Sequence, residues 1–327
     1  MLGRTTYGLL AITFLISLVA SDALLARRAD LLPASVLLLS GSVIPLACAV
    51  VSIMACIELA RLLRAGGANV NVGTTAAGCC AIVLVPWLSS GGVLDGWVDA
   101  LSGEQLIGVV TAVVIIAVSI NCLYRARRER ALADVTATWF VIIYAGLLLS
   151  FITLLRCDSR FSGEQNAWVI LVFLLVTKSS DIGAYFLGSA IGRHKLAPGI
   201  SPGKSVEGFL GGILAAAAVS VFFFHLHGWS IQHGSYDDKP VRGLFLLSEA
   251  TVLFDGMNQT QALVFGAVMS IAGQLGDLFE SLLKRSAGTK DSGHLLPGFG
   301  GILDMIDSPI FAAPVAWFLL THVWSVL

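Results

Sequence analysis

The sequence predicts an all-α protein, a polytopic transmembrane helical bundle of about nine spans with its N-terminus in the cytoplasm. Two observations carry that reading. Apolar residues fill 56% of the 327 positions and charged residues only 13%, with a mean hydropathy of +0.85. Soluble domains carry about a quarter charged residues, so a chain this short of charge cannot coat a water-facing surface. The apolar residues are also gathered into runs of the length, about 20 residues, that crosses a bilayer. They fall near Tyr7–Leu25, Val36–Leu59, Thr74–Leu88, Leu106–Leu123, Val135–Leu155, Ala167–Leu187, Phe209–Phe224, Ala262–Leu283 and Ile302–Val326. Lipid offers the backbone no hydrogen-bond partner, so these runs are helices. The first is long enough to span and is read as a span rather than a cleaved leader. The second is expected to be long, or bent at Pro45. No sizeable soluble domain fits between the runs.

Arginine and lysine set the orientation. Arg61 and Arg64, the group Arg125, Arg127, Arg128 and Arg130, the group Arg193, Lys195 and Lys204, and the group Lys284, Arg285 and Lys290 all fall on one side of a nine-span chain. That side is expected to be the cytoplasm. The opposite loops are acidic or mixed, with Asp95, Asp99 and Glu104 in one and Asp237, Asp238, Lys239 and Arg242 in another; Arg27 and Arg28 are the exception. The net charge of −1 excludes a bulk nucleic-acid partner. Six cysteines form no CxxC pair and sit mostly in apolar runs, as packing residues do.

Ionisable residues at membrane depth are costly and normally face a partner or a cavity. Three clusters qualify, all expected at cytoplasmic helix ends. Lys178 and Asp181 lie three apart on one helical face. The segment Gly199-Ile-Ser201-Pro202-Gly203-Lys204-Ser205-Val-Glu207-Gly208 precedes an apolar helix and can offer backbone N–H groups and a cation to phosphate, or serve as a plain turn with a helix cap. It is not a P-loop, because Pro198 stands where that motif needs glycine. The third cluster is the richest. Asp277, Ser281 and Lys284 recur at i, i+4 and i+7. After a polar loop with Lys290, Asp291 and His294, a second helix carries Asp304 and Asp307. Converging carboxylates need a cation, and oxygen-only ligands suit Mg²⁺. Mg²⁺ with lysines suits a nucleoside triphosphate.

These residues resemble the phosphatidate cytidylyltransferase (CDP-diacylglycerol synthase) family. Its signature is Ser-x-x-Lys-Arg, then Lys-Asp-Ser-Gly, Pro-Gly-His-Gly-Gly and Asp-Arg-x-Asp. Here it reads Ser281-Leu-Leu-Lys284-Arg285, Lys290-Asp291-Ser292-Gly293, Pro297-Gly298-Phe299-Gly300-Gly301 and Asp304-Met305-Ile-Asp307, with the spacing intact. The Ser201–Gly208 segment is similar to the family's Ser-Pro-x-Lys-Thr-Trp-Glu-Gly, and Asp181-Ile-Gly-Ala-Tyr-Phe to the helix before it. Phe299, Met305 and Val206 depart from the family's His, Arg and Trp, so no role of those three side chains is carried over.

The resemblance implies transfer of CMP from CTP to phosphatidic acid, with Mg²⁺, giving CDP-diacylglycerol and pyrophosphate. It implies that Asp277, Asp304 and Asp307 ligate metal, with Lys284 beside them as a catalytic residue. Lys284, Arg285 and Lys290 would neutralise the triphosphate, and Ser201, Lys204 and Ser205 would hold phosphate. Ser281 and Asp291 would contact substrate, and Asp181 would orient a lysine or assist the metal. It also implies a homodimer in the cell (inner) membrane, its site on the cytoplasmic side. Residues 1–160 would form N-terminal helices and 161–327 the catalytic region. Three rivals are a CTP-dependent lipid or polyprenol kinase, which would release CDP, a transporter, which would carry charges near span centres, and a catalytically silent family member, suggested by Phe299 and Met305.

Overall fold

Among the described residues, the apolar runs become nine long helices. They are α1 (Leu2–Arg27), α2 (Val43–Ala65), α3 (Val72–Ser90), α4 (Gly103–Arg125), α5 (Ala131–Arg156), α6 (Gly163–Ile191), α7 (Val206–His233), α8 (Gln259–Ser286) and α9 (Ile302–Val323). The computed structural model describes residues 2–28, 41–90, 101–125, 130–233, 235–236, 239–240, 251–289, 291–293 and 300–324. Eight of the helices, α2 to α9, are long and apolar enough to cross a membrane, and the chain is an integral membrane protein. Among the described residues, strands are confined to two small hairpins. One pairs β1 (Lys195–Ala197) with β2 (Ser201–Ser205), and the other pairs β3 (Ser235–Tyr236) with β4 (Lys239–Pro240).

Local chemistry fixes where helices start. Ser162 and Gln165 close a reciprocal capping box ahead of α6, and Asn258 and Gln261 do the same for α8. Pro45 bends nothing. It sits in the first turn of α2, where its missing N–H would have had no helical partner. In the middle of α5 the helix widens into a π turn over Ile142–Leu147. There the Ala145 carbonyl oxygen accepts a 2.6 Å hydrogen bond from Ser52 of α2, as expected where the regular ladder is interrupted.

Packing relies on small residues wherever helices approach closely, as it does in lipid, where apolar side chains gain little by leaving the solvent. Gly183 of α6 and Gly211 of α7 face one another so tightly that a Cβ on Gly211 would lie 2.9 Å from the Gly183 carbonyl oxygen. At the α8–α9 crossing, a Cβ on Gly276 would strike the Asp307 carbonyl oxygen and come within 3.0 Å of Phe311 Cβ. Gly276→Ala should therefore push the two site-bearing helices apart. The expected cost is about 1–3 kcal/mol, read as a lower melting midpoint in detergent, together with a loss of turnover.

Among the described residues, two buried clusters form the core. One gathers Phe173, Val176, Phe265 and Met269, the other Leu59, Ile82, Tyr144 and Ile142. Helix α9 belongs to both, through Ala312, Ala313 and Ala316 on one side and Ile302, Leu303 and Ile310 on the other. Exposed apolar side chains at Val109, Val113, Ile116 and Ile120 run along one face of α4, as a lipid-facing belt does. A buried ion pair, Arg156 to Asp22 at 2.5 Å, ties α5 to α1. Asp22 also accepts from the Ile44 backbone N–H at the start of α2.

Contacts between helix termini place the ends of α2, α4, α6 and α8 beside the starts of α3, α5, α7 and α9. Asn71 bonds Asn121, Asp134 accepts from the Asn69 N–H, and Arg285 donates to the Ile200 carbonyl. Arg61, Arg64, Arg130, Arg193 and Lys195 all belong to this end.

Candidate active site

Most of the charged residues of α6, α8 and the start of α9 are drawn together toward that end. Asp277, Glu280 and Asp307 bring carboxylate oxygens within 4.8 Å of one another. Asp277 and Glu280 come from one face of α8, and Asp307 from the first turns of α9 across the Gly276 crossing. Glu280 is 1% exposed and Asp307 8%. Three lysines surround them. Lys204 from β2 lies 2.7 Å from Asp277. Lys284 lies 2.5 Å from both Glu280 and Asp304. Lys178 lies 3.1 Å from Asp181 and 3.3 Å from Asp307. Among the described residues this leaves five carboxylates facing three lysines. Glu280 takes no directional hydrogen bond there; its contact is the ion pair to Lys284. An excess of buried negative charge on oxygen-only donors suits a hard divalent cation. Carboxylate oxygens gathered within 4.8 Å of one another are close enough for Asp277, Glu280 and Asp307 to hold one such ion together.

Of the acids expected to ligate metal, Asp277 and Asp307 meet in this trio, and Asp304 is not one of its members. Asp304, at the N-terminus of α9, is joined to the trio through Lys284, which it shares with Glu280. Its Oδ1 meets Lys284, while its Oδ2 accepts from the Gly301 N–H at 2.7 Å and the Ser292 hydroxyl at 2.8 Å. Glu280 takes its place beside Asp277 and Asp307. The Lys178–Asp181 pair also departs from expectation. It does not lie at a helix end, since Lys178 precedes the end of α6, Ile191, by 13 residues, about 20 Å of helix. The charged centre therefore reaches inward along α6, and Ser308 completes it by placing its hydroxyl 3.3 Å from the Asp181 oxygens.

A cleft of about 370 Å³ lies beside the centre, walled by α6, α7, the β1–β2 hairpin and α8. Asp181, Lys204, Gln274 and Asp277 line it, and Tyr185 stands at its edge, 72% exposed on the apolar face of α6. The hairpin is anchored by Glu207, which accepts from the backbone N–H groups of Arg193 and His194 and meets the His194 ring at 2.6 Å. That anchoring aims Lys204 at Asp277. Ser205 is buried, and its hydroxyl accepts from the Gly208 N–H as the cap of α7. Ser201 and Ser281 are half-buried and Asp291 is exposed, and none of the three makes a side-chain hydrogen bond among the described residues. Arg285 is exposed and bridges the Ile200 and Thr289 carbonyls. Lys290, His294 and Phe299 lie outside the described residues. Met305, where the resemblance expected arginine, packs partly buried against the core around Leu59.

One member was missed by sequence reasoning. Glu58 of α2 is 5% exposed. It accepts from the Ile302 N–H at 2.9 Å, the Leu303 N–H at 3.0 Å and the Ser292 hydroxyl at 3.1 Å. The available signal was a lone acid inside the second apolar run. Tyr144, turned into the core at the π segment, stacks on Phe279 at 6.0 Å, and its buried hydroxyl finds no partner among the described residues.

Fold and site together define a helical integral membrane protein with an oxygen-lined acidic centre ringed by lysines at one end. The chain belongs to the cytidylyltransferase family, whose model matches residues 31–323. It is 42% identical over 178 residues to a phosphatidate cytidylyltransferase of Bacillus subtilis, covering 54% of this chain and 55% of that one. It is 33% identical over 227 residues to one of Staphylococcus saprophyticus, covering 69% and 72%. It is also 34% identical over 184 residues to the uncharacterized protein YnbB of Escherichia coli, covering 56% and 52%. The matches span about half the length of the first of these curated relatives.

Proposed function

We propose that the protein transfers CMP from CTP to phosphatidic acid, releasing pyrophosphate and forming CDP-diacylglycerol in phospholipid biosynthesis. The observation that carries this reading is the convergence of Asp277, Glu280 and Asp307 with Lys178, Lys204 and Lys284 beside a cleft, in a chain of the cytidylyltransferase family. The reacting groups meet where a soluble nucleotide and a bilayer lipid can both arrive. By the positive-inside rule the basic end faces the cytoplasm, and we place the protein in the cell membrane with its site on that side.

An oxygen of the lipid phosphate attacks the α-phosphorus of CTP. A P–O bond forms there, the bond to the bridging oxygen breaks, and pyrophosphate leaves. The nucleophile is already anionic, so no strong base is required, and the protein's part is positioning and charge neutralisation. Asp277, Glu280 and Asp307 would hold Mg²⁺, which supplies positive charge to the phosphate oxygens as the displacement proceeds. Lys204, carried on its hairpin, exchanges Asp277 for a phosphate oxygen. Lys284, fixed between Glu280 and Asp304, presents its remaining N–H to the leaving pyrophosphate. Lys178 holds Asp307 and Asp181 in place. Tyr185 marks the side from which the lipid enters.

Purified protein supplied with CTP, Mg²⁺ and phosphatidic acid should release one pyrophosphate per CDP-diacylglycerol formed, and EDTA should stop both. Release of CDP with a newly phosphorylated lipid would instead identify a CTP-dependent kinase and overturn the proposal.

A further inference from the structure

Helix α9 carries Asp304 and Asp307, so whatever fixes its N-terminus fixes the acidic centre. That N-terminus is held from outside the signature segment. Glu58 reaches across from α2 and places Oε1 on the Ile302 N–H and Oε2 on the Leu303 N–H, two of the donors a helix start leaves without internal partners. Its Oε2 also lies 3.1 Å from the Ser292 hydroxyl, which in turn lies 2.8 Å from Asp304 Oδ2. Gly293 and Gly301 leave the room this requires. A Cβ on Gly293 would lie 2.6 Å from Glu58 Oε1, and one on Gly301 2.7 Å from the same atom.

We infer that Glu58 is a positioning residue for the cation centre. It sets the height and rotation of α9, and hence where Asp307 stands relative to Asp277 and Glu280. Through Ser292 it also sets Asp304 against Lys284. An acid is required because both oxygens accept. Glutamine would turn one acceptor into a donor aimed at another N–H, and would remove the negative charge that favours a helix N-terminus. Ser292 has a single hydroxyl proton, so Glu58 and Asp304 share it.

The inference rests on the cation reading of the centre given above and is tested without turnover. Mn²⁺ is titrated into purified full-length protein in detergent and followed by EPR, for wild type, Glu58→Gln and Ser292→Ala. Groups that orient metal ligands typically contribute 10–100-fold in affinity. Glu58→Gln should weaken Mn²⁺ binding by at least tenfold. Ser292→Ala should cause a smaller loss, since the bonds to Ile302 and Leu303 remain. A purely structural strap would lower the melting midpoint and leave the affinity of the folded protein unchanged. Wild-type affinity in folded Glu58→Gln overturns the inference. If that variant does not fold, Ser292→Ala decides, and affinity within twofold of wild type overturns it. A wild-type protein that binds no Mn²⁺ overturns both the cation reading and this inference. A wild type that binds Mn²⁺ but does not act on CTP overturns the proposed activity alone.

Discussion

Asp307→Asn should leave the protein folded in the membrane and reduce turnover by about two to three orders of magnitude, the loss typical of removing one group that stabilises developing charge. The fold survives because the substitution strands no charge. Lys178 keeps Asp181 as a partner at 3.1 Å. The introduced amide is nearly isosteric with the acid it replaces, and the helix contact through the Asp307 backbone carbonyl to Gly276 is unaffected. What is lost is one oxygen anion of a trio whose members lie within 4.8 Å of one another. Turnover measured per folded molecule, with the Mg²⁺ dependence recorded alongside, checks the result. Asp304→Asn is also expected to abolish turnover, by a different route. It weakens the hold on Lys284 and the acceptor for the Gly301 N–H. Normal activity in either variant would refute the role assigned to that residue.

Lys284→Met should cost both stability and activity. The ammonium is 12% exposed and contacts two carboxylates at 2.5 Å, one of them on Glu280, which is 1% exposed. Removing one partner of a buried ion pair leaves an uncompensated charge, at about 3–5 kcal/mol. The variant should accumulate poorly and melt early. Adding Glu280→Gln removes the stranded charge and should restore much of the melting midpoint. It should not restore turnover, because the cation that meets the leaving pyrophosphate and one of the acids are both gone. If the double variant melts no higher than Lys284→Met, the pair is not what holds this part of the fold. If it regains turnover, Lys284 has no part in the chemistry.

The spans were legible because apolar runs of membrane length have one structural solution in lipid. The acids of the centre were legible because each is a charge that lipid rejects. Periodicity, however, places residues on a face and does not say how two faces meet. Asp277, Glu280 and Lys284 share one side of α8 by spacing alone. Whether Glu280 or Asp304 joins Asp277 and Asp307 depends on the rotation of α9 at the Gly276 crossing and on its N-terminal donors, which capture Asp304. Serine before an apolar helix can serve phosphate or the helix's own N–H groups, and spacing does not choose between them; here the Ser205 hydroxyl accepts from the Gly208 N–H as the cap of α7. Glu58 is separated from Ile302 by 244 positions, and no local pattern links them. Asp22 was hidden in the same way, its partner Arg156 lying 134 positions away.

The most direct test is the fate of the phosphorus atoms of CTP. Purified protein, phosphatidic acid vesicles and Mg²⁺ are incubated with CTP labelled at the α- or the γ-phosphorus, and the lipid is extracted. Label from the α-position should enter the lipid and label from the γ-position should leave as pyrophosphate, with both slowed by about two to three orders of magnitude in Asp307→Asn. Label from the γ-position in the lipid would contradict cytidylyl transfer.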